Sequence, residues 1–580
     1  MPEVTDNSAE QRSQLVGLPP KWLLALGLLL LLLPLGAGLH MDDYTNIYNA
    51  QQADWGLDSL GTSFFHGAGA TQDGYLPKGY ERPVAYYFRP LLVALFKVEF
   101  MFFGLNGFGY HLVNVLFHLA NLCLLYVVGL RITGSKRVAS WAVILLLFHT
   151  PSFAAVSWVS GRTEVCVATV LLLTLYTYGK YRDDGDWLWY VLSIFFCILA
   201  LGCKEQSVVF PLILVAWDRL VHQERRFTLW PFPFFVPVIL SVLYRSTLPG
   251  VSQLPPASFY FHPPGTEGFF LHAAGRFFES ILALIQLLSH TIIPYGMMVT
   301  LPTLMALAAA AGAIVWALWR VVGKATAAPF LAYWIVLFTA PTCMCTQLPL
   351  YLYIPTLGAA LLLGHLAGSP AERRPAYLLL RLRKWLLVVW VLVGTLMAMG
   401  TAAWLSRKHN QQRQLVERVK ADAAKVRGSL RVHIFGSSVP LSAIRAYMRL
   451  ALPKRQPQVH HMTLSSLFLQ PRPIEVKWIK RSNKAGSRMI VKEGKRHPFK
   501  NWIYGHLHEK PISFTVGDSV ATADYSMKLK RSRGEYYWDI YFKTPVQLSW
   551  LFYALTPGKV EKIEPPQASP SYKRKTQRRK

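Results

Sequence analysis

Two adjacent carboxylates, Asp42 and Asp43, stand at the end of an apolar run, with His40 just ahead of them. A carboxylate in that position can take the proton from an attacking hydroxyl. Cations recur where other apolar runs begin or end: Tyr87-Phe88-Arg89-Pro90, Ser160-Gly161-Arg162 with Glu164, and Lys204-Glu205. Guanidinium and ammonium groups so placed can neutralise a phosphate that leaves with developing charge. Asp42 and Asp43 are therefore the candidate catalytic residues, and Arg89, Arg162 and Lys204 the candidate ligands of a phosphate. The same spacing also allows local ion pairs, Arg162 with Glu164 and Lys204 with Glu205, that merely anchor helix ends. His40, His111, Glu164, Glu205, Arg276, His290 and Tyr353 are further candidates for contact with substrate. A metal site from His40 and Asp42 would rest on two ligands two residues apart, so a divalent ion is not indicated and no cofactor is certain.

These residues need elements to hold them. Of 580 residues, 52% are hydrophobic and only 16% charged, with mean hydropathy +0.27, which excludes a water-soluble chain of this length. Apolar runs fill 1–406 and are absent from 407–580. A hydrocarbon core of roughly 30 Å takes about 20 apolar residues as helix. By that measure spans fall near 22–39, 110–130, 138–150, 165–181, 187–202, 206–218, 229–246, 300–320, 326–343, 349–367 and 385–405, eleven in all. The run Trp22–Leu39 reads as the first span rather than a cleaved leader. Residues 89–104 and 271–293 carry charges that cost about 2.5–3.5 kcal/mol each at a bilayer centre. Both are expected to lie along the membrane surface. In the span after Phe108, His111, Asn114, His118 and Asn121 recur at spacings that share one helical stripe, the pattern of interhelical hydrogen bonding. The six cysteines lack metal spacing and read as small apolar packing residues.

Lys and Arg near span ends set orientation. With the N-terminus in the cytoplasm, 17 of the 25 basic residues of 1–406 fall inside. The first outer loop (40–90), the surface helix 271–293 and every candidate site residue then share the outer face. The same parity places 407–580 outside, as a basic extracytoplasmic domain with 36 Lys and Arg against 11 Asp and Glu. Its strand-like runs at 430–435, 474–480, 488–492, 512–516 and 536–543, with a helical stretch at 440–452, predict a soluble α/β or α+β fold. The tail 565–580 is expected to be disordered. Gly436-Ser437-Ser438 reads as a plain turn. A basic domain on that side suits anionic lipid or glycan, not nucleic acid.

The string Phe108-Gly109-Tyr110-His111-Leu112-Val113-Asn114-Val115-Leu116-Phe117-His118 resembles the transmembrane O-mannosyltransferases with tetratricopeptide repeats. So do Asp42-Asp43, Phe88-Arg89-Pro90-Leu91, His149-Thr-Pro, Ser160-Gly161-Arg162, Lys204-Glu205 and Leu352-Tyr353-Ile354-Pro355-Thr356, so that the likeness runs over roughly 20–360. The wider group is the GT-C superfamily, which includes the protein O-mannosyltransferases. The resemblance implies a GT-C-like helical polytopic fold of about eleven transmembrane helices, a polyprenyl-phosphate sugar donor, and an acidic catalytic residue at Asp42 or Asp43. Two features depart from it. No 34-residue repeat follows the membrane part, and Pro349-Leu350 replaces the acidic-basic pair usual before the Leu-Tyr motif. The chain resembles a bacterial relative, in the cytoplasmic membrane.

The resulting expectation is a membrane glycosyltransferase. It would move a hexose, mannose in the pattern of the family, from a polyprenyl-phosphate donor to an acceptor hydroxyl on protein, lipid or glycan at the outer face, with inversion. The alternative is a transporter or flippase of the lipid-linked sugar without catalytic activity. Such proteins usually carry internal repeats and midplane sites, and neither is evident here. A third reading is a membrane-anchored binding protein acting through its basic domain. Alkaline phosphatase fused after Lys408 is expected to be active. A silent fusion beside a working cytoplasmic reporter at the same junction would reverse the orientation.

Overall fold

A computed structural model describes residues 18–40, 42–52, 89–224, 226, 228–247, 265, 267–286, 300–323, 325–344, 348–368 and 377–426. Beyond these it describes 430–435, 441–455, 457–461, 475–479, 488–494, 519–521, 525–532, 535–542, 550–556 and 559–563. They form two compact units. One holds 18–39, 49–52 and 89–406; the other holds 40–48 and 407–563, within the described residues.

The first unit is a bundle of apolar helices whose ends are set by local chemistry. Asn106 caps Gly107–Thr133 by accepting from the Phe108 amide at 3.2 Å. Asp186 caps Trp187–Cys203 in the same way, accepting from Leu188 at 2.9 Å. Gly185 closes Arg162–Asp184 at φ +74°, a conformation that favours glycine. Among the described residues, five helices are long and apolar enough to cross a membrane: Gly107–Thr133, Val159–Asp184, Leu301–Arg320, Pro349–Gly368 and Lys384–Ala423. A sixth crossing results if Lys136–Leu147 and Thr150–Ser157, bent by 58°, are taken together. This is a helical multi-span membrane protein, but eleven full-length crossings are not what the described residues show. Lys21–Gly36, Trp187–Cys203, Phe232–Thr247 and Ala328–Met344 are apolar but shorter. The stretch expected to span at 206–218 is broken into a 3₁₀ turn, Phe210–Ala216 and a π turn, with Pro211 at its first α-helical positions.

The two expected surface segments are both helical. Pro90–Phe103 begins at Arg89. The second is Phe269–Leu284, so its end falls nine residues short of 293. Its polar residues do not face outward: His272, Arg276, Glu279 and Ser280 are buried, and Arg276 pairs with Glu279 at 2.9 Å. A guanidinium and a carboxylate one turn apart satisfy each other, which lets that side of the helix turn inward. The residues directly after it, with His290, lie outside those described.

Asp42–Gln52, of which 42–48 belong to the second unit, is a helix where a loop was expected. The last span and the helical stretch after it form one element, Tyr377–Ala423, of 47 residues. Strands β1 (Arg431–Phe435), β2 (Gln458–His461), β8 (Trp550–Thr556) and β9 (Lys559–Lys562) build a sheet in the order β2-β1-β8-β9. There β1 runs parallel to both neighbours. Strands β3 (Glu475–Ile479), β4 (Arg488–Gly494), β5 (Ser519–Ala521), β6 (Tyr525–Ser532) and β7 (Glu535–Phe542) build an antiparallel sheet, β3-β4-β7-β6-β5. The helix expected at 440–452 is Leu441–Ala451. The run 512–516, Gly436-Ser437-Ser438 and the tail 565–580 lie outside the described residues.

One close approach decides how the chain leaves the first apolar helix. A Cβ on Gly107 would stand 2.8 Å from Gly38 Cα and 2.8 Å from the Leu39 amide nitrogen, both backbone atoms that cannot yield. Gly107→Val is expected to destabilise the protein by about 1–3 kcal/mol through overpacking, read as a lower apparent melting temperature in detergent.

Candidate functional site

Four helix ends in the first unit bring their charged residues together. Arg89 precedes Pro90–Phe103, which carries Glu99 nearly three turns on. Arg162 and Glu164 open Arg162–Asp184, Lys204 and Glu205 follow Trp187–Cys203, and Arg245 lies in the last turn of Phe235–Thr247. The pairs cross between elements instead of forming locally. Arg162 bonds Glu99, Lys204 bonds Glu164, and Arg89 bonds Glu205 at 2.8 Å. Arg245 stands 3.9 Å from the other Glu205 oxygen and donates to the Leu201 carbonyl at 2.8 Å.

These cations differ in how far they are committed. Arg162 has no exposed surface. Its Nε donates to Asn114 Oδ1 at 2.7 Å, one terminal nitrogen to Glu99, and the other to the Tyr110 carbonyl at 2.7 Å. The Phe96 ring covers it at 4.8 Å. A guanidinium with every nitrogen engaged inside the protein is a tie between helices, and this geometry gives it no direct hold on a ligand. Lys204 is buried beside Glu164, with the Tyr351 ring 4.7 Å from its ammonium. Arg89 and Glu205 are the more open pair, their side chains 16% and 39% exposed. Burial would raise the Glu205 carboxyl, but Arg89 by charge and hydrogen bond, and Arg245 by charge, hold it at about 2.

The polar stripe of Gly107–Thr133 is buried and bonded between helices. Asn114 donates to the Val156 and Trp158 carbonyls at 3.2 and 2.9 Å. His118 and Asn121 both meet the Tyr353 hydroxyl, at 2.6 and 3.0 Å. His111 lies 3.0 Å from the Gly38 carbonyl. Tyr353 is thus enclosed by the stripe. Arg276 is buried and pairs with Glu279 on its own helix.

In the second unit, Asp43 is buried and closes the first turn of its helix. The His40 amide donates to Asp43 Oδ2 at 3.0 Å, and the Asp43 amide donates back to the His40 carbonyl at 3.1 Å. The carboxylate thus satisfies an amide ahead of the helix, as the acidic member of a capping box does, while the return bond is a backbone turn; His40 Nδ1 sits 3.2 Å from the same oxygen. Asp42 keeps its surface open to solvent. Even so, its carboxyl is pushed up to about 6, first by the protein packed around it and then by the Asp43 charge, with His40 opposing. Asp42 is therefore the open carboxylate poised near neutrality, and Asp43 the one spent on structure. Among the described residues no group of three His, Cys, Asp or Glu side chains is placed to hold a metal ion.

Glu99 and Arg245 were not among the candidates read from sequence. Arg245 is a lone charge in its apolar run and Glu99 shares its run with Lys97; the cost of leaving a charge unpaired in hydrocarbon was the available signal.

Residues 83–246 match the family described as dolichyl-phosphate-mannose-protein mannosyltransferase. The chain is 29% identical over 120 residues to protein O-mannosyl-transferase Tmtc1 of Drosophila melanogaster, covering 21% of this chain and 14% of that protein. It is 31% identical over 209 residues to protein O-mannosyl-transferase tmtc2 of Xenopus laevis, covering 34% and 24%. The matches therefore span less than a quarter of these relatives' length. Among solved structures it is similar to ArnT from Cupriavidus metallidurans bound to undecaprenyl phosphate, at 13% identity and TM-score 0.44 over 76% of this chain and 89% of that one. The chain resembles the polyprenyl-phosphate-sugar-dependent glycosyltransferases of the GT-C superfamily. The animal relatives lend the bacterial source no support. All seven charged residues of the cluster lie inside the matched stretch, whereas Asp42 and Asp43 precede it.

Glu99→Gln, which leaves the Arg162 charge buried against a neutral partner, is expected to cost about 3–5 kcal/mol. Adding Arg162→Met should return part of that loss in a denaturation series. Labelling of Asp42 by a water-soluble carbodiimide, which attacks the protonated acid, should be half-maximal near pH 6. In Asp43→Asn the midpoint should move to lower pH, because the like charge that opposes ionisation is gone.

Proposed function

We propose that the protein is a membrane glycosyltransferase that takes a sugar from a polyprenyl-phosphate donor and passes it to an acceptor hydroxyl at the extracytoplasmic face, with inversion. The observation that carries this reading is the cluster of Arg89, Arg162, Lys204 and Arg245 with Glu99, Glu164 and Glu205, all within the stretch similar to mannosyltransferases. Four cations against three carboxylates leave one positive charge, which matches the single negative charge of a phosphodiester. Arg89 and Lys204 hold the donor phosphate and stabilise it as it leaves, and Arg162 acts by fixing the helices that carry them. Asp42 accepts the proton of the attacking hydroxyl, which adds to the anomeric carbon as the bond to the phosphate breaks. A base with its pKa near 6 is ionised at neutral pH, so transfer rises as pH increases through about 6. The relatives' names as protein O-mannosyl-transferases support mannose and a protein hydroxyl. Lipid and glycan acceptors and an anionic lipid or glycan partner for the basic domain belong to the same proposal.

The test is to incubate membranes containing the full chain with polyprenyl-phosphate mannose labelled in the sugar, and to count label in protein, lipid and polysaccharide. Asp42→Asn should lower turnover by about 10²–10⁴-fold. Arg89→Lys, which trades a planar fork for a point charge, should weaken donor use. Full transfer by Asp42→Asn and by the double variant with Asp43→Asn would sink the assignment of the base. Donor moved across the bilayer with no label on any acceptor would favour a flippase.

A further inference from the structure

The helix that begins with Asp42 belongs, through Tyr48, to the same compact unit as the C-terminal residues, although some 360 residues separate them in sequence. Two contacts to the helix Leu441–Ala451 hold it there. Tyr44 and Tyr447 stack with ring centroids 4.0 Å apart and planes 6° from parallel, and both rings are buried. One helical turn on, Arg449 donates to the Tyr48 hydroxyl at 3.3 Å and lies 5.7 Å from its ring. Tyr44 and Tyr48 are four residues apart, so they occupy one face of their helix, the face turned to the C-terminal helix. Asp42 is not on that face and keeps its exposure. Nothing in the local sequence would hold so short a helix on its own: eleven residues lie below the length at which an isolated helix is stable in water. Its order must come from packing, and the buried packing partner on that face is the tyrosine stack.

We propose that the C-terminal domain works as a clamp on the base-bearing helix, with Tyr447 and Arg449 as positioning residues that act through Tyr44 and Tyr48 on Asp42. The clamp rests on the reading of Asp42 as the base. It gives the domain a part in the reaction itself: without it Asp42 is present but not held. Geometry lost at a reacting group lowers turnover more than donor affinity, so the effect should fall on kcat and leave the KM for donor nearly unchanged.

The experiment uses the full chain in lipid nanodiscs with four variants: Tyr447→Phe, Tyr447→Ala, Tyr44→Ala and Arg449→Ala. Three quantities are read: amide exchange over 42–52, the midpoint of carbodiimide labelling of Asp42, and sugar transfer from polyprenyl-phosphate mannose. An aromatic stack is worth roughly a two- to tenfold population change. In Tyr447→Ala and Tyr44→Ala the 42–52 amides should therefore exchange about tenfold faster and kcat should fall by about tenfold or more. The Asp42 midpoint should drop from about 6 toward the ordinary aspartate range as the helix loosens into water. Tyr447→Phe keeps the stack and should restore most of each. Unchanged exchange over β6 and β7 shows that the domain still folds, and Tyr44→Ala serves if Tyr447→Ala does not. The clamp is overturned if 42–52 exchanges as before in both alanine variants, or if it loosens while kcat holds. Full transfer by Asp42→Asn overturns the base assignment instead, and leaves the exchange result standing as a structural contact.

Discussion

A guanidinium removed from water must find a partner for each nitrogen, and Arg162 finds its three on two other helices: Glu99 of Pro90–Phe103, and Asn114 and the Tyr110 carbonyl of Gly107–Thr133. Arg162 itself opens a third helix. The hydrogen bonds fix the mutual register of these helices, and removing one partner leaves a buried charge uncompensated. Gly161 makes the turn possible, because a Cβ there would collide with the Ala155 carbonyl. The rest of the cluster inherits its position from this tie. Glu164 follows one half-turn later and holds Lys204, and Glu205 beside it holds Arg89 and Arg245.

The helix Arg162–Asp184 has a second polar network at its other end. Asp218 is buried there, bonded by Arg182 at 3.1 Å, the Tyr178 hydroxyl at 2.9 Å and Thr228 at 2.6 Å. Eighteen residues of helix separate Glu164 from Arg182, about 27 Å, close to the thickness of a hydrocarbon core. Between the two networks the helix is packed against the apolar core by Val165, Val167, Leu171 and Leu175. Charge on this helix is thus confined to two levels, and one of them holds the cations drawn together by crossed pairs.

Much of this was legible in the sequence for a simple reason. Charges and amides inside apolar runs are too costly to be there without partners, so Arg89, Arg162, Lys204 and the stripe His111, Asn114, His118, Asn121 marked themselves. What spacing did not reveal was the partner. Glu164 stands two residues from Arg162 and Glu205 directly after Lys204, yet residues one or two apart on a helix do not face each other, and the pairs formed across helices. Apolar length also overstated the number of full crossings, because several runs are broken by proline, by π and 3₁₀ turns, or by a 58° bend.

The amino-acid sequence by itself determined the division into an apolar helical part and a basic strand-bearing part, and it determined which polar residues had to be paired. Both follow from composition and from the free energy of burying charge, which are properties of the chain. Only the tertiary structure decided that Asp43 is spent on capping while Asp42 stays open, and that Arg162 ties helices while Arg89 remains accessible. It also decided that the short helix after His40 packs through Tyr44 on Tyr447. Those are facts of proximity between segments far apart in sequence, and no local periodicity encodes them.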